Sequence, residues 1–142
     1  MDYLKGATII ESAKIHSGIS AVNCLSAARV TLHDDAFFDL NGKLRYFLQQ
    51  IRDERPMAEY KVDRHDCDKF VRIMLGRIAE HQDDFPESIF AAWMNHWPKN
   101  GDYHAAILVL DAGRLWYYEP QRKEVELVPV ETVVREAVEI WG

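Results

Sequence analysis

The sequence predicts a single α+β domain in which helices come first and an antiparallel sheet follows. The chain has 142 residues, of which 48% are apolar and 28% charged, a balance typical of one globular domain with its own core. Apolar residues recur at helical spacing in segments 41–53 and 67–78. Two apolar runs, 104–110 and 114–119, flank a turn-forming Asp-Ala-Gly sequence and predict a β-hairpin. Because the helical patterns precede the strand patterns and do not alternate with them, α+β is favoured over α/β.

The N-terminal part, residues 1–55, is predicted to be helical. Apolar residues between positions 9 and 28 indicate helices that are interrupted near Gly18. Residues 41–53 carry the clearer pattern, with Leu, Phe, Leu and Ile at helical spacing before Pro56 ends the segment.

The strongest helical pattern begins at Cys67. Apolar residues occupy positions 67, 70, 71, 74, 75 and 78, which is the stripe of a helix packed on a core. Asp66 precedes the stripe and suits the N-cap position. Asp68 lies in the first turn, where a negative charge interacts favourably with the helix dipole. Cys67 is therefore expected at the start of a helix, on its inward face.

The second half of the chain carries the strand patterns. Residues 88–97 are apolar at nearly every position, so periodicity alone does not separate a strand from a helix there. Residues 98–101, Pro-Lys-Asn-Gly, predict a turn, and residues 104–110 predict the strand that follows it. Residues 111–113 form the predicted three-residue hairpin loop, in which Gly supplies the positive φ angle.

Two further elements complete the predicted order. Residues 124–128 alternate between polar and apolar side chains and predict another strand. Val130, Val133, Val134, Ala137, Val138 and Trp141 lie at helical spacing and predict a C-terminal helix.

Composition excludes several classes of function. The net charge of −6 argues against general nucleic-acid binding, because little would neutralise phosphates. No apolar run approaches the roughly 18 residues needed to span a bilayer, and the first residues lack a signal-peptide pattern, so we expect a cytoplasmic protein with no membrane partner. Two cysteines, Cys24 and Cys67, are too few for a disulfide framework or a Cys-rich zinc site.

Cys67 has the placement that a thiol nucleophile requires. Such a thiol must ionise near neutral pH and have a base within hydrogen-bond reach. The N–H groups at a helix N-terminus stabilise a thiolate and can also hold an oxyanion. Asp66 and Asp68 act in the opposite direction, since adjacent carboxylates raise the pKa of a thiol.

His104 is the candidate base, at the start of a predicted strand. If the hairpin pairs across residues 111–113, His104 faces a position between 119 and 121. Glu119 or Gln121 would then lie beside the imidazole, and either side chain can fix its tautomer, but only Glu119 also stabilises an imidazolium.

Three short segments, in this order, resemble the transglutaminase-like branch of the papain superfamily of cysteine peptidases. They are Tyr60 with Asp66-Cys67-Asp68-Lys69-Phe70, then Tyr103-His104-Ala105, then Trp116-Tyr117-Tyr118-Glu119-Pro120-Gln121. Small phage- and bacterium-encoded proteins with a DCDDFA-type helix, an HA strand and an EPQ strand are similar. So is the C-terminal cysteine-protease domain of certain fungal lectins. The resemblance covers residues 60–128 as a papain-like core.

The resemblance implies a Cys-His-Glu triad, with Cys67 as nucleophile, His104 as base and Glu119 as the orienting acid. It implies that Tyr60 can lend an oxyanion donor, and that residues 88–97 are a strand of the sheet on which the nucleophile helix packs. The fungal lectin domains depend on calcium or manganese, which would make Asp66 and Asp68 metal ligands.

Lys69 departs from the family pattern, because the second Asp after the cysteine is replaced by a residue that repels cations. No cofactor is otherwise required.

Two functions of different classes follow from these residues. The first is a cysteine hydrolase of an amide or acyl bond in a peptide or protein substrate, of the protease, amidase or deamidase type. The second is an inactive papain-like fold that binds or inhibits a protein or glycan partner, since an acidic surface suits a basic partner.

Overall fold

The computed structural model describes residues 3–5, 23–26, 31–33, 43–58, 61, 66–81, 89–111 and 114–141. Its architecture is α+β, as the sequence predicts. The elements are β1 (Tyr3–Lys5), β2 (Asn23–Ser26), β3 (Thr31–His33), α1 (Leu44–Asp53), α2 (Cys67–Glu80), β4 (Phe90–Pro98), β5 (His104–Asp111), β6 (Arg114–Tyr118), β7 (Leu127–Pro129), α3 (Val130–Val133) and β8 (Val134–Trp141).

Six of the described strands form one sheet in the order β2-β8-β4-β5-β6-β7. All neighbours in it are antiparallel except β2 and β8, which are parallel. β1 and β3 form a separate antiparallel pair. The strands β4, β5 and β6 follow one another both in sequence and in space, so the centre of the sheet is a meander.

The main core lies between the two longer helices and one face of the sheet. β5 presents its alternate residues Ala105, Ile107 and Val109 to this core, as the period of two in a strand requires. α1 contributes Leu44, Leu48 and Ile51, and α2 contributes Val71, Met74 and Ile78, all nearly inaccessible to solvent. The intervening residues of β5 are buried as well, which fits its position inside the sheet.

Two arginines connect α1 to its neighbours. Arg77 of α2 is only 3% exposed, and its guanidinium donates to the carbonyl oxygens of Arg52 and Arg55, at 3.0 Å each, and of Pro56 at 3.4 Å. Arg52 lies in the last turn of α1, whose carbonyls lack intrahelical donors, and Arg55 and Pro56 follow the helix, so Arg77 caps the C-terminal end of α1. Arg52 Nε donates to Pro120 O at 3.1 Å, which connects α1 to the residue that follows Glu119.

The N-terminal helix prediction is wrong for the described residues before position 43. Cys24 lies in β2, and all of these described residues belong to β1, β2 or β3. Cys24 pairs with Ala137 of β8, so this strand depends on a partner far away in the sequence. Local apolar spacing carries no information on such pairing, whereas the local patterns at 41–53 and 67–78 are confirmed as α1 and α2. The positions predicted as helix between 9 and 22 lie outside the described residues.

The predicted C-terminal helix is also wrong, because only α3 is helical and Val134–Trp141 forms β8. The pairing of β8 with β4 contains two register shifts, one between Asn95 and His96 and one between Trp97 and Pro98. Each irregularity adds a residue on β8, so the apolar positions no longer alternate strictly. The resulting spacing of three and four imitates a helix, although the β-branched residues favour a strand.

The other strands correspond closely to the sequence patterns. The strand predicted within residues 88–97 is confirmed as β4, Phe90–Pro98, and Gly101 in the turn after it has a φ of 113°, which favours glycine. Asp111 pairs with Arg114, so Asp111 belongs to β5 and the predicted three-residue loop is too long. β7 begins only at Leu127, because the N–H of Val125 donates to Gln49 Oε1 at 2.8 Å and not to β6.

Candidate active site

Cys67 is the first residue of α2. Asp66 before it has extended backbone angles (φ −100°, ψ −173°), and the first bonds of the helix run from Lys69 N and Phe70 N to Asp66 O. The N–H groups of Cys67 and Asp68 therefore have no acceptor within the helix. The predicted position of Cys67 at a helix N-terminus is confirmed.

Asp66 occupies the N-cap position, but its side chain makes no cap hydrogen bond of normal geometry. The carboxyl groups of Asp66 and Asp68 bond to each other, which lowers the pKa of Asp66 and raises that of Asp68. The N–H of Lys69 contributes only weakly to the lowered pKa of Asp66. The opposite directions of the two shifts are typical of two carboxyl groups in contact, because the ionisation of one disfavours the ionisation of the other.

The Cys67 thiol is free and half-buried against β5. Burial raises its pKa, a hydrogen bond from the backbone of Ala105 lowers it, and the charges of Asp66, Asp68 and Glu119 raise it. The pairing between β5 and β6 ends at Ile107 and Tyr118, so residues 104–106 of β5 are not paired with β6. Their backbone on that side is therefore available to the thiol. The net direction is upward, so these surroundings disfavour the thiolate.

His104 and Glu119 are directly bonded, as the hairpin register predicts. His104 Nε2 is hydrogen-bonded to Glu119 Oε2, and Glu119 Oε1 accepts from the backbone N–H of Gln121 at 3.1 Å. The side chains are 26% and 17% exposed, so water has limited access to the bond. Because Nε2 faces the carboxylate, Nδ1 is the ring nitrogen left for proton transfer.

His96 and Tyr117 lie directly behind this pair, and sequence reasoning assigned neither of them to the site. His96 is completely buried, and its ring lies edge-on to those of His104 and Tyr117, with centroids 5.7 Å and 5.3 Å apart. Its Nε2 is 3.3 Å from the Tyr117 hydroxyl oxygen. Burial first, and the charge of His104 second, lower the pKa of His96 to about 4, so this ring is neutral at physiological pH.

Tyr117 connects His96 to the acid of the candidate triad. Burial, then the charge of Glu119 and a hydrogen bond to its carboxylate, raise the pKa of Tyr117. A cleft of about 250 Å³ is lined by Tyr117 and Glu119, and further by Arg122, Glu126, Val128 and Val133.

Two exposed aromatic residues lie next to the paired His96 and His104. Trp97 follows His96 and is 40% exposed, and Tyr103 precedes His104 and is 45% exposed. Their ring centroids are 5.2 Å apart.

The two aspartates fit a hard cation in their chemistry but not in their number. Asp66 Oδ1 is buried without a hydrogen-bond partner, which suits a bound cation. Calcium takes six to eight oxygen ligands, whereas no group of three or more metal-ligating side chains occurs within the described ranges. The calcium or manganese site stays a prediction, and no step below depends on a metal.

The structure thus brings four of the predicted site residues close together. Glu119 bonds to His104 and to the backbone of Gln121, and Cys67 lies against Ala105, the residue next to His104. Tyr60, the predicted oxyanion donor, lies outside the described residues. His96 could have been found from the connection between the two strands, because a turn centred on residue 100 places position 96 opposite position 104.

Comparison with known proteins gives a fold and no family. No family model matches the chain, and no curated protein matches it. The chain is similar to the solved structure "PSL1a-E64 complex", with a TM-score of 0.53 and 12% sequence identity over 96% of this chain. The chain spans about half the length of that structure, 51%. At this identity the likeness concerns the fold alone.

In the described part of the chain, no helix has the length and apolar character needed to cross a membrane.

Proposed function

We propose that this chain is a cysteine hydrolase of an amide or related acyl bond, with Cys67 as nucleophile, His104 as base and Glu119 as the orienting acid. One observation carries the proposal: the bonded His104–Glu119 pair lies at the point of β5 where the Cys67 thiol meets the strand. A nucleophile, a base and an orienting acid are the three roles of this chemistry.

In the first half of the reaction Cys67 Sγ attacks the carbonyl carbon of the substrate. The thiol proton passes to His104 Nδ1, and the resulting imidazolium is stabilised by Glu119 at Nε2. The C–S bond forms as the carbonyl π bond opens, and the free N–H groups at the start of α2 are the expected donors to the oxyanion. His104 then gives its proton to the leaving amine, the C–N bond breaks, and an acyl-enzyme remains.

In the second half a water molecule hydrolyses the thioester. His104 takes one proton from the water as its oxygen attacks the acyl carbon, and the proton returns to Sγ as the C–S bond breaks. A carboxylic acid and the free thiol are the products. The raised pKa of Cys67 fits this scheme if the thiolate forms only as a pair with the His104 imidazolium.

The fold likeness is consistent with a papain- or transglutaminase-like arrangement, which we propose for the unit of α2, β5 and β6. The similar structure was solved as a complex with E64. E64 is therefore a rational compound to test on this chain, with intact-mass spectrometry to detect a covalent adduct and Cys67→Ser as the control.

The proposal is tested by the rate at which iodoacetamide alkylates Cys67. We expect labelling at pH 6 to be at least about tenfold faster than for a free thiol, because a thiol of ordinary pKa is almost fully protonated there. Peptide mapping separates Cys67 from Cys24. Replacing the base, His104→Gln, should bring the rate down to that of an ordinary thiol.

A second candidate, a binding module without catalysis, has one observation in its favour. Burial and the carboxyl groups of Asp66 and Asp68 raise the pKa of the Cys67 thiol, which is unfavourable for a nucleophile. Labelling of the wild-type protein that is no faster than for a free thiol, with no change on His104→Gln, would reject the hydrolase and favour this candidate.

A further inference from the structure

Four side chains of the site form a closed ring of contacts. His104 bonds to Glu119, Glu119 bonds to Tyr117, Tyr117 bonds to His96, and His96 packs edge-on against His104. The ring spans the three strands β4, β5 and β6. Each member therefore touches two others, and none can rotate without breaking a contact.

We propose that His96 and Tyr117 are positioning residues that hold Glu119, and through it His104, in the orientation needed for proton transfer. The purpose assigned to them rests on the proposed hydrolase function. The contacts that carry the inference do not depend on that function.

Burial distinguishes this role from simple filling of the core. His96 is 0% exposed and Tyr117 is 8% exposed, while positions two residues away on the same strands hold the apolar residues Met94 and Leu115. A buried polar side chain destabilises a protein unless its polar atoms are bonded. The bonds described for His96 Nε2 and the Tyr117 hydroxyl connect them to each other and to Glu119, so their polar groups serve the site.

His96 Nε2 and the Tyr117 hydroxyl oxygen lie 3.3 Å apart, and either group can donate the proton of this hydrogen bond, because a neutral imidazole has two tautomers.

The groups that face Glu119 come from three elements. His104 of β5 and Tyr117 of β6 bond to its carboxylate, Cys67 of α2 senses its charge, and Arg122 lines the same cleft. Removing the Tyr117 hydroxyl leaves His104 and Arg122 in place beside the Glu119 carboxylate. It removes one restraint on the carboxylate, which is why the effect should concern orientation more than charge.

Tyr117→Phe is the decisive variant, and Tyr118→Phe is its matched control. Tyr118 is the next residue, is also fully buried, and its hydroxyl has no hydrogen-bond partner among the described residues. It faces the helices, on the other side of the sheet. Both substitutions remove one buried hydroxyl, so thermal unfolding shows whether either variant has lost its fold.

Two readouts separate positioning from a structural role. The His104 proton on Nε2 should give a slowly exchanging NMR signal in the wild type and in Tyr118→Phe, and exchange should be at least about tenfold faster in Tyr117→Phe, as expected for the loss of one supporting hydrogen bond. The rate of Cys67 alkylation at pH 6 should fall about tenfold in Tyr117→Phe and stay within about twofold in Tyr118→Phe.

His96 is tested by a conservative and a disruptive substitution. His96→Gln keeps a donor near the position of Nε2 and should retain the His104 signal, whereas His96→Leu should lose it. Equal behaviour of Tyr117→Phe and Tyr118→Phe in the NMR readout would overturn the positioning role. Slow wild-type alkylation together with a His104 signal that depends on Tyr117 would instead reject the hydrolase function and leave the positioning role standing.

Discussion

The buried histidine behind the site should make the stability of the fold depend on pH in a specific way. His96 has an ordinary pKa of 6.5 in the unfolded chain and of about 4 in the folded protein, chiefly because burial disfavours its charged form. Between these values the unfolded chain binds a proton that the folded protein does not. Stability is therefore fully present above pH 6.5 and is lost as the pH falls towards 4.

The magnitude follows from the difference between the two pKa values. Each pH unit below 6.5 should lower the free energy of unfolding by about 1.4 kcal/mol, because one additional proton is bound on unfolding. Over the full interval down to pH 4 the contribution of His96 reaches roughly 3 kcal/mol. Glutamine at this position does not titrate, so His96→Gln should remove this contribution.

The assay is urea denaturation followed by tryptophan fluorescence at pH 7, 6, 5 and 4. Carboxyl groups titrate in both proteins, so the difference between wild type and His96→Gln isolates the histidine. We expect the advantage of the wild type to shrink by about 3 kcal/mol from pH 7 to pH 4. Tyr118→Phe is the control, because it removes no group that titrates in this range. Its difference from the wild type in free energy of unfolding should stay constant between pH 7 and pH 4. Parallel profiles for wild type and His96→Gln would refute the reasoning, because His96 would then titrate alike in both states.

Three further substitutions test the helices and the thiol. Gly76→Ala should stabilise the protein by about 0.5–1 kcal/mol, because Gly76 is exposed inside α2 and an added Cβ meets nothing within 4 Å; a lower melting temperature would contradict this. Arg77→Met should cost about 3 kcal/mol in urea denaturation, because the carbonyls at the end of α1 lose their buried donor. The exposed Arg72 is the control, and Arg72→Met should cost about 1 kcal/mol or less. Asp68→Asn should lower the pKa of the Cys67 thiol and speed its alkylation at pH 7, and an unchanged rate would show that this carboxyl does not act on the thiol.

The elements that the sequence predicted well are those specified by neighbouring residues. α1 and α2 follow from local apolar spacing, and the β5–β6 hairpin follows from two apolar runs with a short turn sequence between them. β2 and β8 were missed because their pairing joins segments that are distant in sequence, and the register shifts in β8 disguise its alternation.

In the candidate site, too, the features set by neighbouring residues could be predicted, and those set by distant residues could not. The proximity of His104 and Glu119 could be predicted, since it depends on one hairpin register. Cys67 could be placed at a helix start, yet its contact with Ala105 depends on how α2 packs on the sheet. His96 was missed because the Trp and Met residues around it in the sequence indicate an ordinary core position. Only the pairing of β4 with β5 shows that His96 lies opposite His104.

The position of β8 between β2 and β4 has a consequence for folding during synthesis. β8 is made last among the described strands, and it supplies the antiparallel partner for one whole side of β4. A nascent chain that has not yet released these residues leaves β4 as an open, largely apolar edge, which is the kind of edge that pairs with other chains. β8 must therefore leave the ribosome before this edge is protected, and a truncation that removes β8 should favour aggregation over the native sheet.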